Sequence, residues 1–232
     1  MIAYATFEAN ARRVRERVDA ACLESGRKPD EVSILPVTKT HPLAAAEYAR
    51  KAGFLAVGEN RVQEAEEKIR DVATPKDLKW ELIGHLQRNK ARDAIELFDR
   101  IQSVDSAKLV RRLDGIASEH GKVLPILLQV NAGKDPAKYG VSPDEVERLL
   151  EVAVEASQLE VDGLMTIAPF DDNPDTARRC FARLRETRDR LAEDWKLPLS
   201  VLSMGMTGDL EAAITEGSTQ IRVGTALFGE RE

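Results

Sequence analysis

The sequence is poor in the residues that build disulfide frameworks, cysteine-based metal sites and basic surfaces. Its two cysteines, Cys22 and Cys180, lie far apart and neither belongs to a CxxC pair, so we expect no disulfide, redox pair or metal site. Acidic residues outnumber basic ones by 40 to 34, which gives a net charge of −6. Because a basic surface is the usual mark of binding to nucleic acid or an anionic membrane, we expect neither partner.

Long apolar runs are also missing from the sequence. No segment approaches the roughly 20 apolar residues of a membrane-spanning helix, and the start MIAYATFEANARR lacks the apolar stretch of a secretory signal. We therefore expect a cytoplasmic protein. With 43% hydrophobic residues and no long Pro, Gly or Ser tract, residues 1–232 are predicted to form one domain.

Short β-branched or leucine-rich runs alternate along the chain with stretches of helical period. The predicted strands are 32–38, 54–58, 80–84, 100–104, 123–131, 161–166, 199–203 and 220–223. An amphipathic helix of about residues 6–25 precedes them, and the other predicted helices are 43–52, 61–71, 88–97, 106–120, 143–157, 174–196 and 209–216, with a short turn after Gly224. Eight such alternations indicate a parallel sheet, and at this length a closed (β/α)8 TIM barrel fits the count better than an open doubly wound sheet.

One lysine stands where such a barrel would place reactive groups. Lys39, in the segment ILPVTKTHP, follows the first predicted strand, and the active groups of barrels lie at the carboxyl ends of strands. Because strand side chains alternate, Lys39 shares a face with Leu35 and Val37. Against apolar walls the pKa of a lysine falls, and its neutral amine can attack a carbonyl to form a Schiff base. The alternative is a lysine at the rim that pairs with Glu59.

Glycine and threonine residues after the last two predicted strands are typical of phosphate-binding loops. Gly205 and Gly208 permit tight turns in LSMGMTGDLEAAITEG, and Thr207 can cap the helix that follows. Gly224 and Thr225 open a helical turn after the eighth strand. Loops after strands seven and eight are the usual phosphate site of TIM barrels. A carbonyl-reactive lysine beside them indicates pyridoxal 5′-phosphate or a phosphorylated aldose, and the spacing leaves both open.

Six segments together resemble one known family. They are VTKTHP, VGENRVQE, LIGHLQRNK, GLMTIAPF, LSMGMTGDLEAAITEGST and IRVGTALFGER, which run in this order from about residue 32 to residue 231. In these segments the chain is similar to the pyridoxal phosphate homeostasis protein family, single-domain relatives of the barrel half of alanine racemase. The resemblance implies an α/β fold, a single (β/α)8 TIM barrel of the alanine racemase N-terminal-domain type with an extra N-terminal helix.

The resemblance also implies a site for pyridoxal phosphate, position by position. Lys39 would hold the cofactor as a Schiff base, and Arg222 would face its pyridine nitrogen. The other cofactor-binding residues that it implies are Asn60 beside the cofactor, Ser203 and Met204 lining the pocket, and Gly205, Thr207, Gly224 and Thr225 around the phosphate. Position 207 departs from the family, which usually has serine there, but the threonine keeps the hydroxyl. An arginine beside the ring nitrogen disfavours its protonation, which weakens the cofactor as an electron sink.

Three functions remain open. The first is a protein that holds, buffers or delivers pyridoxal phosphate in intracellular vitamin B6 and amino-acid homeostasis, because the cofactor site is complete and the catalytic site is not. We expect it to be a monomer, with apo forms of pyridoxal-phosphate enzymes as recipients. A low-activity amino-acid racemase is the alternative, but racemases of this type take a second acid or base from an additional β domain, and the sequence after the eighth strand has no room for one. We therefore expect no robust catalytic activity and assign no catalytic residue. A Schiff-base aldolase is the third candidate, in which Arg222 would have no purpose.

Overall fold

Eight parallel β-strands form a nearly closed barrel in the computed structural model, which describes residues 1–171 and 173–230. The strands are β1 (Ser33–Pro36), β2 (Ala56–Glu59), β3 (Lys79–Leu82), β4 (Arg100–Val104), β5 (Leu124–Gln129), β6 (Leu159–Met165), β7 (Val201–Ser203) and β8 (Gln220–Val223). They are hydrogen-bonded in the order β1-β8-β7-β6-β5-β4-β3-β2. An isolated bridge between Val37 and Gly58 brings β1 back to β2, where the Thr38 N–H donates to the Gly58 carbonyl at 3.0 Å. The predicted TIM barrel is therefore confirmed.

Helices follow the strands around the outside of the barrel, because each strand buries an apolar face that a helix must cover. The α-helices are α1 (Tyr4–Glu24), α2 (Ala44–Lys51), α3 (Val62–Ile69), α4 (Ala91–Leu97), α5 (Ala107–Glu119), α6 (Val146–Val154), α7 (Pro174–Trp195), α8 (Leu210–Thr215) and α9 (Thr225–Phe228). The predicted helix 88–97 is divided, since Arg88–Lys90 form a 3-10 turn before α4. The extra N-terminal helix is present as α1.

The start of α8 differs from the prediction, and the residue that caps it also shapes the loop between β7 and α8. Thr207 is predicted to cap this helix, but Asp209 occupies the N-cap position and α8 begins at Leu210. The Asp209 carboxylate accepts a hydrogen bond from the Met206 N–H at 2.5 Å, which closes the loop on itself. The hydroxyl of Thr207 is therefore not used in capping α8.

Polar side chains occupy much of the barrel interior. The apolar part is a small cluster of Leu35, Val37 and Ile83, separate from the large core between the strands and the helices. The buried polar residues of strands β3, β4, β7 and β8 include Glu81, Gln102, Ser203, Gln220 and Arg222. Hydrogen bonds join side chains of β4 to side chains of β7 and β8, which are not neighbours of β4 in the sheet. These bonds must cross the interior of the barrel.

Helix α1 packs against α8 and α9, the two helices that follow the phosphate-binding loops predicted from the sequence. Asn10 donates to the carbonyl of Leu227 at 3.1 Å, and the ring of Phe7 stacks on Phe228 with 5.0 Å between centroids. Arg17 donates to the carbonyl of Thr207 at 3.0 Å. The first helix is thus attached to the loop between β7 and α8 and to α9.

Several features are not found in the part of the chain that the structure describes. Within residues 1–171 and 173–230, no helix is long and apolar enough to cross a membrane. The same residues contain no group of three or more His, Cys, Asp or Glu side chains placed to hold a metal ion. Cys22 and Cys180 are buried free thiols, and burial raises the pKa of Cys180 to about 11, so neither is a reactive thiolate at neutral pH.

Candidate functional site

A cavity of about 250 Å³ opens at the carboxyl ends of the strands, and we call it the mouth cavity. It is lined by Val37, Lys39, His41, Asn60, Ile83, Ile167, Met206, Thr207, Gly208, Arg222, Gly224, Thr225 and Gly229. Six of the nine predicted site residues are therefore brought together in one cavity. They are Lys39, Asn60, Thr207, Arg222, Gly224 and Thr225.

The structure places the other three predicted site residues behind the lining of the mouth cavity. Ser203 is fully buried beneath Arg222 and accepts a hydrogen bond from it. Met204 is fully buried in the outer core, because the next residue along a strand points to the opposite face. Gly205 has a φ of +95°, and a Cβ there would lie 2.5 Å from the Cβ of Ala213. Gly205 is therefore required by the turn and by close packing against α8.

The electrostatic character of the mouth cavity contrasts with that of the whole chain. Its lining contains the cationic side chains Lys39 and Arg222, and none of the described lining residues is an aspartate or a glutamate. The chain as a whole carries a net charge of −6. A cavity with two cations and no lining carboxylate, in an acidic protein, is suited to an anionic ligand.

Lys39 stands just beyond β1, where the chain turns away from the barrel. The preceding residue, Thr38, is fully buried, whereas Lys39 is half-buried and lines the mouth cavity. Thr40 has a φ of +64°, a left-handed conformation that is uncommon for a β-branched residue. The backbone therefore reverses immediately after Lys39, in a way that the neighbouring Pro42 alone does not explain.

Arg222 is held in the cavity by two side-chain hydrogen bonds. Its Nη1 donates to the Ser203 hydroxyl at 2.8 Å and its Nη2 donates to the Thr166 carbonyl at 2.8 Å. Burial lowers its pKa to about 10, with Asp209 opposing the shift, so the guanidinium stays charged at neutral pH. Each terminal nitrogen carries a second proton, and hence Arg222 can still donate to a group in the mouth cavity.

The loops after β7 and β8 meet at the edge of the mouth cavity. The Thr207 hydroxyl accepts a long hydrogen bond, 3.4 Å, from the N–H of Ala226 in the first turn of α9. Gly224 occupies the N-cap position of α9, and Thr225 follows it. Amide groups in a first helical turn have no partner within the helix and can donate to an oxyanion. Hydroxyl and amide donors from two loops thus surround one end of the cavity.

A buried ion pair between Glu59 and Lys68 lies at the ends of β1 and β2, next to Lys39 and Asn60. Glu59 is fully buried and accepts from Lys68 Nζ at 2.7 Å and from the Thr38 hydroxyl at 2.6 Å. Lys68 also donates to the Thr38 carbonyl at 2.8 Å. Burial raises the pKa of Glu59, and the charge of Lys68 opposes that shift.

Sequence reasoning missed Lys68, although a signal for it exists. The buried side chains of α3 are Val62, Ala65 and Lys68, which recur every three residues on one helical face. A lysine on the apolar face of a short helix predicts a buried partner. The spacing gives no indication that this partner is Glu59.

His85 and Tyr139 form a separate pair near the strand ends. Their rings stack with 3.9 Å between centroids and an interplanar angle of 7°. The Nδ1 of His85 lies 3.4 Å from the carboxylate of Asp105. The lining residues of the mouth cavity do not include these side chains. The pair therefore belongs to the surrounding loops rather than to the cavity.

The chain is similar over nearly its whole length to proteins of one kind. Residues 2–232 match the family model of the alanine racemase N-terminal domain. The pyridoxal phosphate homeostasis protein of Aquifex aeolicus is 39% identical, over 95% of this chain and 96% of that protein. The pyridoxal phosphate homeostasis protein of Pseudomonas aeruginosa is 40% identical, over 98% of this chain and 96% of that protein.

Solved structures agree with the sequence similarity. PipY of Synechococcus elongatus, solved with pyridoxal phosphate bound, is 41% identical and superimposes with a TM-score of 0.81, over 93% of this chain and all of that chain. An alanine racemase of Clostridium difficile has a TM-score of 0.75 at 15% identity, over 96% of this chain and 57% of that chain, which shows a common fold alone. Together, the shared barrel and the identity along nearly the full chain show that this protein belongs to the pyridoxal phosphate homeostasis protein family.

Proposed function

We propose that this protein binds pyridoxal 5′-phosphate in the mouth cavity, holds it as a Schiff base on Lys39 and thereby takes part in the homeostasis of the cofactor. The observation that carries the proposal is that Lys39 and Arg222 line the same cavity and that its described lining contains no carboxylate. Family membership supports it, because the relatives are named for pyridoxal phosphate homeostasis and PipY has been solved with the cofactor bound.

The donor groups of the cavity match the three functional groups of the cofactor. The amine of Lys39 is the nucleophile for an aldehyde, and the guanidinium of Arg222 is a donor for a ring nitrogen. The hydroxyls of Thr207 and Thr225, with the backbone at Gly224, are donors for a phosphate. When bound, pyridoxal phosphate supplies an electrophilic carbonyl and a conjugated ring that can accept electrons.

Arg222 favours a function in holding the cofactor over a function in turnover. Its guanidinium stays charged at neutral pH, since burial lowers its pKa only to about 10. A charged donor beside the ring nitrogen disfavours protonation of that nitrogen, so the ring withdraws electrons less strongly. Arg222 therefore contributes to binding of the cofactor but gives little assistance to the removal of a proton from a bound amino acid.

Borohydride trapping tests the proposal directly. Purified protein mixed with pyridoxal phosphate should develop a visible imine absorption band, and reduction should fix the cofactor on the peptide that contains Lys39. The variant Lys39→Ala should lose both the band and the adduct. Lys134→Ala is the matched control, because Lys134 follows β5 at the same end of the barrel but is exposed. Absence of any adduct in the unmodified protein would contradict the proposal.

Isotope exchange distinguishes a low-activity racemase from a protein that only holds the cofactor. Cofactor-loaded protein is incubated with a panel of L-amino acids in deuterated water, and the incorporation of deuterium at the α-carbon is compared with that caused by free pyridoxal phosphate. We expect no excess over the free cofactor. Exchange well above that level, lost in Lys39→Ala, would identify a low-activity racemase instead.

We further propose that the protein acts in the cytoplasm as a monomer and gives its cofactor to apo forms of pyridoxal-phosphate enzymes. Gly208 and Thr225 are exposed although they line the mouth cavity, so the phosphate end of the site opens to solvent. Release then requires no opening of the barrel. Reactivation of an apo-enzyme by cofactor-loaded protein, at a rate above that from spontaneous release, tests delivery, and sedimentation equilibrium tests the monomeric state.

A further inference from the structure

A continuous chain of buried polar side chains crosses the barrel from the mouth cavity to its opposite end. Arg222 donates to the Ser203 hydroxyl at 2.8 Å, and that hydroxyl donates to Gln102 Oε1 at 2.6 Å. Gln102 Nε2 donates to Glu81 Oε2 at 2.5 Å and to Gln220 Oε1 at 2.7 Å. We call Arg222, Ser203, Gln102 and Glu81 the interior chain.

The far end of the interior chain lies at a second cavity, at the amino ends of the strands. This floor cavity has a volume of about 530 Å³, and Glu81, Gln220 and Arg100 are among its lining residues. Arg100 Nη1 lies 3.5 Å from Glu81 Oε1, and its Nη2 donates to Asp162 at 2.5 Å. Glu81 itself is almost fully buried, and burial raises its pKa. A carboxyl group thus ends the interior chain at the floor cavity.

Each residue of the interior chain donates a hydrogen bond to the next, from Arg222 through Ser203 and Gln102 to Glu81. A serine hydroxyl has one proton, and in this arrangement Gln102 Oε1 accepts it. The lone pairs of Ser203 are therefore left to accept from Arg222. The amide of Gln102 cannot flip without facing its oxygen towards Glu81 and Gln220, which accept from its Nε2. The orientation of Gln102 consequently determines which way the Ser203 hydroxyl points.

We propose that Gln102 is a positioning residue for the cofactor site, which fixes the Arg222 guanidinium through the Ser203 hydroxyl and is itself held by Glu81 at the floor of the barrel. This inference rests on the proposed function, because Arg222 acts there on the pyridine nitrogen. Gln102 does not line the mouth cavity. Its effect on the cofactor is exerted through the direction in which Arg222 donates.

The variant Gln102→Leu tests the proposal because leucine keeps the approximate volume and removes both hydrogen-bonding ends. The Ser203 proton then has no acceptor on β4, so the hydroxyl can rotate and no longer fixes the direction in which Arg222 donates to it. We expect the affinity for pyridoxal phosphate to fall about tenfold, which corresponds to about 1.4 kcal/mol. We also expect the ring nitrogen to become easier to protonate.

Two measurements separate this role from a general loss of packing. The dissociation constant is measured by absorption titration, and the state of the ring nitrogen by NMR of cofactor labelled with ¹⁵N at that position. Gln129→Leu is the matched control, since Gln129 is also buried, lies on the neighbouring strand β5 and donates to the Tyr139 carbonyl, outside the interior chain. We expect Gln102→Leu, and not Gln129→Leu, to move the nitrogen signal towards its protonated value as the pH is lowered through neutrality.

Ser203→Ala provides a second test if Gln102→Leu does not fold, since it removes the linking hydroxyl with little change in volume. The same shift of the nitrogen signal is expected in this variant. Wild-type affinity and nitrogen signal in both variants would overturn the inference, and so would equal effects of the Gln102 and Gln129 substitutions. If the unmodified protein does not bind pyridoxal phosphate at all, the proposed function fails first and the inference fails with it.

Discussion

At the scale of single residues, the position of Lys39 depends on the buried ion pair of Glu59 and Lys68. Lys39 and Asn60 each follow a residue of the buried network formed by Thr38, Glu59 and Lys68. The network joins the ends of β1 and β2 at the point where the barrel closes through the Val37–Gly58 bridge. The position of Lys39 is therefore set by a lysine on α3 that does not line the mouth cavity.

The variant Lys68→Met should be strongly destabilised and should bind the cofactor more weakly. It leaves the Glu59 carboxylate buried beside Thr38 without its charged partner, and breaking one half of a buried ion pair costs about 3–5 kcal/mol. Urea unfolding measures the loss, and absorption titration measures the affinity. The double variant Glu59→Leu with Lys68→Met should recover part of the stability, because no uncompensated charge remains. Equal stability of Lys68→Met and the unmodified protein would contradict this account.

The sequence predicts the place of a functional residue when that residue belongs to a recognisable motif, but not when it is buried inside the barrel. Lys39, Arg222 and the loop residues Thr207 and Thr225 follow from the order of strands and from the resemblance. Gln102 does not, because both faces of a barrel strand are buried and the segment RIQSV gives no period that tells inside from outside. The interior chain is a property of tertiary packing across non-neighbouring strands.

At the scale of elements, the strands and most helices begin within two residues of their predicted starts, and only α4 and α6 begin three residues later. The predicted strands 100–104 and 220–223 coincide with β4 and β8, since each is a short run between clear helical segments. The predicted cap of α8 is wrong, because Asp209 competes successfully with Thr207 for the N-cap position. Choosing between two capping residues separated by one position requires the path of the loop, which the sequence does not contain.

Helix α1 gives an element-scale prediction, because it contacts the phosphate-binding loop from outside the barrel. Arg17 pairs with Glu211 at 2.7 Å and donates to the Thr207 carbonyl. The substitution Arg17→Ala should weaken cofactor binding about threefold, since an exposed ion pair contributes about 0.2–1 kcal/mol. Faster release of pyridoxal phosphate should account for most of the loss, and stopped-flow dilution measures it.

A control on the same helix shows whether the effect is specific. Arg12→Ala removes a similar charge from an exposed position of α1, so it matches the change in net charge and in helix propensity. We expect its release rate to remain that of the unmodified protein. If Arg12→Ala and Arg17→Ala have equal effects, the attachment of α1 to Thr207 does not govern release.

At the scale of the whole molecule, buried carboxyl groups set the dependence of stability on pH. Burial raises the pKa of Glu59, Glu81, Asp105 and Asp209, in each case against nearby cations or hydrogen-bond donors. Among the carboxyl groups with a lowered pKa, those of Asp77 and Glu119 are exposed partners of arginines. The two sets act in different pH ranges, because raised values lie above the range of an unfolded chain and lowered values lie below it.

The cofactor-free protein should therefore be more stable at about pH 5 than at about pH 7, because the unfolded carboxyl groups titrate at about pH 4 and the native ones with raised pKa values titrate at higher pH. In this range the native state binds more protons than the unfolded state, so the free energy of unfolding rises as the pH falls. Urea midpoints at the two pH values measure the change. Glu81→Gln should reduce the rise because it removes one of the four carboxyl groups. A continuous loss of stability from neutral pH downward would contradict the assignment of these groups as buried acids with raised pKa values.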